Sequence, residues 1–255
     1  MEKRSNPFIP IAILVAGVLV AGGLFLSSIR DANTQYKDTD TTPQFDFSEQ
    51  TPVSTSDHIL GSPNARITFI EYGDLDCPAC KSIHPHLTRL IERYGKTGTV
   101  AWVFRHFPIE QLHAGTTYKA AASECVAALG GEQAFWQFIK TVFETTGEQT
   151  TDLIDLAEAS GVSRDEFQAC AVSGRYIPFV EASYEEARAI GARATPFVII
   201  TYPEGIPSAA ISQIEQAGSE RGETGAIVVA NTTTIVMQAA FSYEVFDEIV
   251  RALLF

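Results

Sequence analysis

Residues 67–80, with the sequence ITFIEYGDLDCPAC, join a strand pattern to two closely spaced cysteines. The first six residues are β-branched or aromatic except for Glu71, and this composition predicts a buried strand. A helix is predicted over Pro78–Tyr94, because apolar residues recur there at helical spacing. Its first residue, a proline, suits the opening turn, where the missing N–H would have no partner in any case. The pattern therefore places Cys77 and Cys80 where a buried strand is followed by a helix.

The start of this helix predicts redox chemistry for the cysteine pair. A thiolate there faces unpaired backbone N–H groups and the positive end of the helix dipole, so its pKa falls below the ordinary value of about 8.5. Cys80 lies three residues before Ile83 on the core-facing side of the helix, whereas Cys77 precedes that side at the exposed end. We therefore assign Cys77 as the attacking nucleophile and Cys80 as the buried resolving thiol. Three alternatives stay open: an inert structural disulfide, half of a zinc site completed by His84 and His86, or two buried free thiols.

Glu71 is the candidate proton carrier of this site. It lies six residues before Cys77, within an apolar strand where burying an acid is costly. A carboxyl buried beneath the pair has a raised pKa and can accept or relay the proton of Cys80. The alternative is a Glu71 side chain that faces solvent from an edge strand. No chemistry is assigned to four of the histidines, His84, His86, His106 and His113.

The rest of the chain predicts an α/β fold with a block of helices. A second buried strand is predicted over 99–105 and a third over Phe197–Thr201. Between them lie helical patterns at 111–129, 132–145, 152–159, 164–171 and 175–190. The remaining elements are a helix near 208–217, strands at 226–229 and 234–238, and a helix over Tyr243–Leu254. This order indicates a mixed sheet with one parallel crossover and a helical insertion.

Residues 1–30 predict a membrane anchor. The run 8–26 is nearly all apolar and would span roughly 30 Å as a helix, which is the thickness of a bilayer's hydrocarbon core. Two basic residues precede the run, so we expect an uncleaved signal anchor, with a cleaved signal peptide as the alternative. Either one carries the rest of the chain out of the cytoplasm. Residues 31–56, rich in Thr, Asp, Ser, Gln and Pro, predict a flexible linker before the folded domain at 57–255.

The charge of the chain excludes one class of function. It has 18 Lys and Arg against 31 Asp and Glu, for a formal net charge of −13. The basic footprint of a nucleic-acid-binding protein is absent, so no nucleic-acid partner is expected. Such acidity favours solubility and opposes binding to anionic lipid beyond the anchor.

These motifs resemble the thioredoxin superfamily, specifically its DsbA-like branch of membrane-tethered or secreted bacterial thiol–disulfide oxidoreductases. Glu71 sits where that family keeps its buried acid, and Thr195-Pro196 matches the residue and cis-proline that face its redox pair. Cys77 and Pro196 are 119 residues apart, similar to the DsbA arrangement, in which a helical domain interrupts the thioredoxin fold. The resemblance implies a thioredoxin fold with a helical insertion at about 110–190. Residues 203–233 are longer than the family's usual hairpin, and are either a partner surface or a tolerated loop insertion.

The resemblance also implies how substrate binds. A cis bond before Pro196 would place the Thr195 backbone beside the Cys77 sulfur, where substrate polypeptide could pair with it as an added strand. Pro78 and Ala79, between the two cysteines, complete the expected substrate-binding residues. The alternative is an ordinary trans bond that enters a strand. No metal or organic cofactor is implied, because the dithiol is itself the redox group.

Two features near Cys77 predict a weaker oxidant than the most oxidising members of the family. Ala79 stands where those members have a histidine, so a donor that stabilises the thiolate is missing. Asp74 and Asp76 add negative charge near Cys77. Both changes are expected to raise the pKa of Cys77 and to lower the reduction potential of the pair.

Cys125 and Cys170 lie in the predicted helical block, and similar cysteines occur in a subset of the family. Outside the cytoplasm we expect them to form a structural disulfide. Closing a loop of 45 residues contributes on the order of 4 kcal/mol to stability in the chain-entropy model. A second redox relay is the alternative.

The sequence therefore predicts an extracytoplasmic thiol–disulfide oxidoreductase on a single-pass membrane anchor. It is expected to form disulfides in exported, cysteine-containing polypeptides through a mixed disulfide, and to be recycled by a membrane redox partner. One alternative is a disulfide reductase or isomerase of the same fold. The other is a redox-inactive module that binds polypeptide.

Overall fold

The computed structural model describes residues 44–145, 152–223 and 225–255, so the predicted anchor and residues 31–43 of the predicted linker lie outside it. The strands in these ranges are β1 His58–Gly61, β2 Ile67–Gly73, β3 Val100–His106, β4 Phe197–Thr201, β5 Ala226–Asn231 and β6 Thr234–Gln238. They form one sheet in the order β1-β3-β2-β4-β6-β5. β2 and β3 run parallel, while the other neighbouring pairs are antiparallel. The predicted mixed sheet with one parallel pair is confirmed.

Helices follow β2, β3, β4 and β6 along the chain. They are α1 Pro78–Tyr94, α2 Thr116–Thr145, α3 Leu153–Ala159, α4 Arg164–Ser173, α5 Ile177–Ile190, α6 Ile211–Gln216 and α7 Tyr243–Leu254, with short 3-10 turns at Gly95–Thr97, Ser208–Ala210 and Ser219–Arg221. Helices α2 to α5 lie between β3 and β4, which confirms the helical insertion. Gly131 interrupts α2 with a φ of 74°, a conformation that glycine adopts readily. None of the helices in the described ranges is long and apolar enough to cross a membrane.

Side chains of the central strands alternate between the two faces of the sheet. Phe69 and Trp102 point to one face, here called the α1 face, where they share a core with α1 and α7. Ile70 and Tyr72 point to the opposite face, where α5 packs. Glu71 is two residues from Phe69 and therefore lies on the α1 face. The alternation thus directs this acid beneath the helix that follows Cys77.

The folded unit begins earlier than the boundary expected at residue 57. Phe45 and Val53 pack on the sheet face opposite α1, and the Asp46 backbone N–H donates to the Ile190 carbonyl at 3.0 Å. The polar composition of this segment predicts a linker. Its few aromatic and aliphatic side chains nevertheless find an apolar surface against which to bury.

The segment at 203–233 is built into the fold. Ile214 of α6 and Ala217 are fully buried in the same core as α1. β5 adds an edge strand beside β6, and Arg221 pairs with Glu248 of α7 at 2.8 Å. This extra segment therefore contributes core and sheet rather than a separate exposed loop.

Candidate active site

The two closely spaced cysteines lie at the start of α1, with Cys77 as its N-cap and Pro78 as its first residue. Both are thiols without a disulfide bond in the structure. Cys77 keeps 7% of its surface exposed and Cys80 none. Cys77 is thus more enclosed than the sequence predicts, yet it is the one of the two that keeps an exposed surface.

The environment separates the acidities of the two thiols. The pKa of Cys77 is lowered to about 5, chiefly because the Cys80 thiol hydrogen-bonds to its sulfur. Partial burial opposes this effect, while the Thr195 side chain and the backbone N–H groups of Cys80 and Ala79 add to it. Burial raises the pKa of Cys80 well above its ordinary value, as do its hydrogen bond to Cys77 and the charge of Glu71. At neutral pH the pair therefore combines one thiolate with one thiol.

The segment before β4, the strand that pairs with β2, lies beside the cysteine pair. The Thr195–Pro196 peptide bond is cis, and the Cys77 Sγ lies 3.5 Å from the Thr195 carbonyl oxygen. Pro196 is buried, Thr195 and Ala79 are partly exposed, and Pro78 is exposed. The fold thus brings the two predicted halves of the site together from distant parts of the chain.

Glu71 is fully buried on the α1 face rather than exposed at a sheet edge. Its Oε2 accepts a hydrogen bond from the indole Nε1 of Trp102 at 3.0 Å. Its Oε1 has no hydrogen-bond partner in the described part of the chain. Burial raises the pKa of Glu71 to about 8; the Trp102 bond opposes this rise and the charge of Cys77 adds to it. The carboxyl therefore changes protonation state near neutral pH.

Asp74 and Asp76, the two carboxylates expected to act on Cys77, have hydrogen-bond and ion-pair donors of their own. Asp76 forms an ion pair with Lys119. Asp74 is buried and accepts hydrogen bonds from four groups, the Asp76 and Ile109 backbone N–H groups, the Thr116 hydroxyl and the His113 ring. Other donors therefore satisfy both carboxylates, while the hydrogen bond from the Cys80 thiol is the main cause of the lowered pKa of Cys77. The expectation that these two carboxylates raise the pKa of Cys77 stays a prediction.

Cys125 of α2 and Cys170 of α4 are joined by a disulfide in the structure. Both sulfurs are buried within the helical insertion, away from solvent. The bond ties two helices of the insertion together, in keeping with the structural role expected for it.

A second group of buried charges was missed by the sequence analysis. Glu124 Oε1 accepts hydrogen bonds from His58 Nε2 at 3.0 Å and from His106 Nε2 at 2.7 Å. The hydrogen bonds from these rings outweigh burial and lower the pKa of Glu124 to about 2. Although burial opposes it, hydrogen bonding to Glu124 and Glu132 raises the pKa of His58 to about 9. This cluster, here called the Glu124 cluster, joins β1 and β3 to α2.

The zinc alternative finds no support in the geometry. His84 is buried with its ring 4.9 Å from Trp102 and 5.0 Å from Phe143, and burial lowers its pKa to about 4. Across residues 44–145, 152–223 and 225–255, no three His, Cys, Asp or Glu side chains form a group that could hold a metal ion. His84 is thus an aromatic core residue.

A cysteine pair that caps the first helix, a cis-proline opposite it and helices inserted between β3 and β4 define a thioredoxin-fold protein with a dithiol site. A family model described as thioredoxin matches residues 54–204, more than half of the chain. The chain belongs to this thioredoxin family, and its resemblance to the DsbA-like branch is confirmed by solved structures.

Two of those structures have a TM-score above 0.5 and share more than a quarter of their aligned residues with this chain. DsbA2 of Pseudomonas aeruginosa is 26% identical with a TM-score of 0.51, over 60% of this chain and 84% of that one. The α-DsbA1 protein of Wolbachia pipientis is 27% identical with a TM-score of 0.52, over 60% of this chain and 77% of its own. A T172V variant of α-DsbA1 aligns over 80% of this chain and 94% of its own, at 21% identity and a TM-score of 0.60, and so supports the fold alone.

Curated relatives of a different kind also match part of the chain. The Na(+)/H(+) antiporter NhaA 1 of Mycolicibacterium gilvum is 31% identical over 147 residues, which are 56% of this chain and 23% of the antiporter. The NhaA 1 protein of Salinispora arenicola is 31% identical over 113 residues, or 44% and 16%. The chain thus spans less than a quarter of the length of these relatives.

Proposed function

We propose that this protein is a thiol–disulfide oxidoreductase that forms disulfides in exported polypeptides. The observation that carries the proposal is the geometry of the pair at the start of α1: Cys77 is the N-cap, its Sγ lies 3.5 Å from the Thr195 carbonyl oxygen before a cis-proline, and Cys80 is fully buried. This environment lowers the pKa of Cys77 to about 5 and raises that of Cys80. A low pKa makes Cys77 a good leaving group, which favours transfer of the disulfide to substrate.

The reaction is an exchange of two disulfides. A substrate thiolate attacks Sγ of Cys77 in the oxidised pair, the Cys77–Cys80 bond breaks, and a mixed disulfide forms with Cys77. Cys80 leaves as a thiolate and takes up a proton. A second substrate thiolate then attacks the substrate sulfur of the mixed disulfide and releases the Cys77 thiolate. Two substrate thiols are oxidised to one disulfide, and the Cys77–Cys80 pair is reduced.

Glu71 supplies and removes the proton of Cys80. Cys80 is fully buried, so its proton needs a local carrier. The pKa of Glu71 near 8 suits this role, because a carrier works best when its pKa is close to the working pH. Its negative charge also contributes to the raised pKa of Cys80, which supports an electrostatic coupling between the two groups.

Substrate polypeptide binds across the Thr195 backbone. The carbonyl 3.5 Å from Cys77 Sγ could pair with an extended peptide whose cysteine reacts at Cys77. The exposed Pro78 and the partly exposed Ala79 would contact the same peptide from the start of α1. This binding mode depends on backbone pairing, so it accepts many sequences.

The cellular setting is part of the proposal. The apolar run at 8–26 would hold the chain in the cell membrane with the domain outside the cytoplasm, where disulfides persist. A membrane redox partner would then reoxidise the pair. A reductase or isomerase direction uses the same residues, and a redox-inactive binding module uses the fold alone.

The equilibrium reduction potential of the Cys77/Cys80 pair tests the direction of the chemistry. In full-length protein equilibrated with glutathione, we expect a value between those of DsbA, about −120 mV, and thioredoxin, about −270 mV. A value at or below that of thioredoxin would contradict disulfide formation. A Cys77→Ser, Cys80→Ser double variant serves as the control: full activity of this variant in a cellular assay would support the binding module instead.

A further inference from the structure

Trp102 places a hydrogen-bond donor directly beside the buried acid of the site. It is 1% exposed and Glu71 is fully buried, so solvent does not reach their hydrogen bond. The register of β2 and β3 sets Trp102 opposite Phe69, and Glu71 opposite Phe104. Trp102 is therefore the diagonal neighbour of Glu71 on the α1 face, within reach of a long side chain. Its Nε1 lies 3.0 Å from Glu71 Oε2.

Aromatic packing fixes the position of the indole. The Trp102 ring lies 4.7 Å from the ring of Trp136 and 4.9 Å from that of His84. Both neighbours belong to helices, α2 and α1, so the indole is held from two sides. Packing therefore sets the direction of the indole N–H independently of the position of the Glu71 carboxyl group.

The bond makes the two oxygens of Glu71 different. An indole N–H only donates, so Oε2 has to act as an acceptor. A proton on the carboxyl is then carried by Oε1, which has no hydrogen-bond partner among the described residues. The fixed indole therefore decides which oxygen can exchange a proton.

We propose that Trp102 is a positioning residue for proton transfer: its N–H holds Oε2 of Glu71 and leaves Oε1 to exchange the proton of Cys80. The inference rests on the proposed function, in which Glu71 serves Cys80. It extends that function to a residue in the neighbouring strand. The same hydrogen bond keeps the pKa of Glu71 from rising further under burial, so that enough of the carboxyl is ionised at neutral pH.

Trp102→Phe tests the inference, with Trp136→Phe as the matched control. Both changes remove an indole N–H from the same aromatic cluster, but that of Trp136 has no hydrogen-bond partner in the described ranges. The readout is the rate at which Cys80 resolves a mixed disulfide between Cys77 and glutathione in full-length protein, followed from pH 5 to 9. Loss of a hydrogen bond to a charged group is expected to shift the Trp102→Phe profile upward by about one pH unit. At pH 7 the resolution rate of Trp102→Phe is expected to be about tenfold below that of the wild type. The Trp136→Phe variant is expected to have the same pH profile as the wild type.

Equal profiles for both variants and the wild type would overturn the inference. A Glu71→Gln background separates positioning from damage to the core: there, Trp102→Phe is expected to change nothing further. An additional loss in that background would mean that Trp102 acts only on folding. If the wild type itself shows no resolution by Cys80, the proposed function fails and this inference fails with it. A working wild type with an unshifted Trp102→Phe profile rejects the inference alone.

Discussion

At the scale of single residues, the site depends on two cysteine thiols that have very different pKa values. Cys77 and Cys80 are three positions apart, yet the first is stabilised as a thiolate by hydrogen bonds and the second is kept protonated by burial. Each depends on the other, because the Cys80 thiol is the main donor to the Cys77 sulfur. The asymmetry supports the proposed roles, in which the Cys77 sulfur attacks and the Cys80 sulfur resolves the mixed disulfide.

Replacing Cys80 with serine is expected to trap the intermediate. Cys77 can still attack a disulfide in the variant, but no thiol lies beneath it to complete the exchange. Incubation with a disulfide-containing peptide should give a stable mixed disulfide on Cys77, detected as a mass increase that dithiothreitol removes. Cys77→Ser is the matched control and should give none. Trapping by Cys77→Ser but not by Cys80→Ser would reverse the assigned roles.

At the scale of elements, the hydrogen bonds of the Glu124 cluster connect the helical insertion to the sheet. Glu124 of α2 is 6% exposed and bonds to rings from β1 and β3. Removing one member of a buried, charged network leaves the others without partners, which typically costs about 3–5 kcal/mol. The Cys125–Cys170 disulfide links two helices within the insertion. The cluster and the disulfide therefore stabilise different contacts, the first between insertion and sheet and the second between helices.

Glu124→Gln is expected to lower stability in a pH-dependent way. The pKa of His58 is raised from 6.5 to about 9, so its contribution is complete below about pH 6.5 and is lost as the pH rises through 9. The pKa of Glu124 is lowered to about 2, so its contribution is complete above about pH 4.5 and is lost as the pH falls through 2. Urea unfolding should show a loss of about 3–5 kcal/mol at pH 6 that shrinks by pH 9.5.

Comparing the free energy of unfolding of the variant with that of the wild type at each pH removes the contribution of the other titrating groups. Glu132→Gln is the control, because this partner of His58 is half-exposed, with 53% of its side chain accessible, and should cost no more than about 1 kcal/mol. A Glu124→Gln loss that is the same at pH 6 and pH 9.5 would contradict the account of the cluster.

The elements also show what the sequence could predict. The bounds of α1 are those expected, because a proline at its start and a regular apolar side define it locally. β1 was not predicted, since four residues carry too short a pattern and its pairing with β3 exists only in the fold. His58 was missed with it. The sequence does predict that Trp102 has a hydrogen-bond partner, because a buried indole usually needs one for its N–H. It does not predict that the partner is Glu71, since this depends on the register of two strands.

At the scale of the whole molecule, the fold assembles one site from three places. β2 ends four residues before Cys77, and α1 begins directly after it. The segment before the antiparallel β4 brings the Thr195 carbonyl oxygen to 3.5 Å from the Cys77 sulfur. The helical insertion lengthens the chain between β3 and β4 without separating these parts. The predicted order of motifs was sufficient for this arrangement, whereas the pairing of Asp74 and Asp76 with other donors required the packed structure.

The most direct test of the central claim is the ionisation of Cys77 in the reduced, full-length protein. The rate of its alkylation by iodoacetamide, followed by mass spectrometry from pH 3 to 10, reports the fraction of thiolate. The structure predicts a midpoint near pH 5 for Cys77 and no reaction of Cys80 across the neutral range. A midpoint close to that of an ordinary cysteine, about 8.5, would contradict the assignment of this pair as a redox centre.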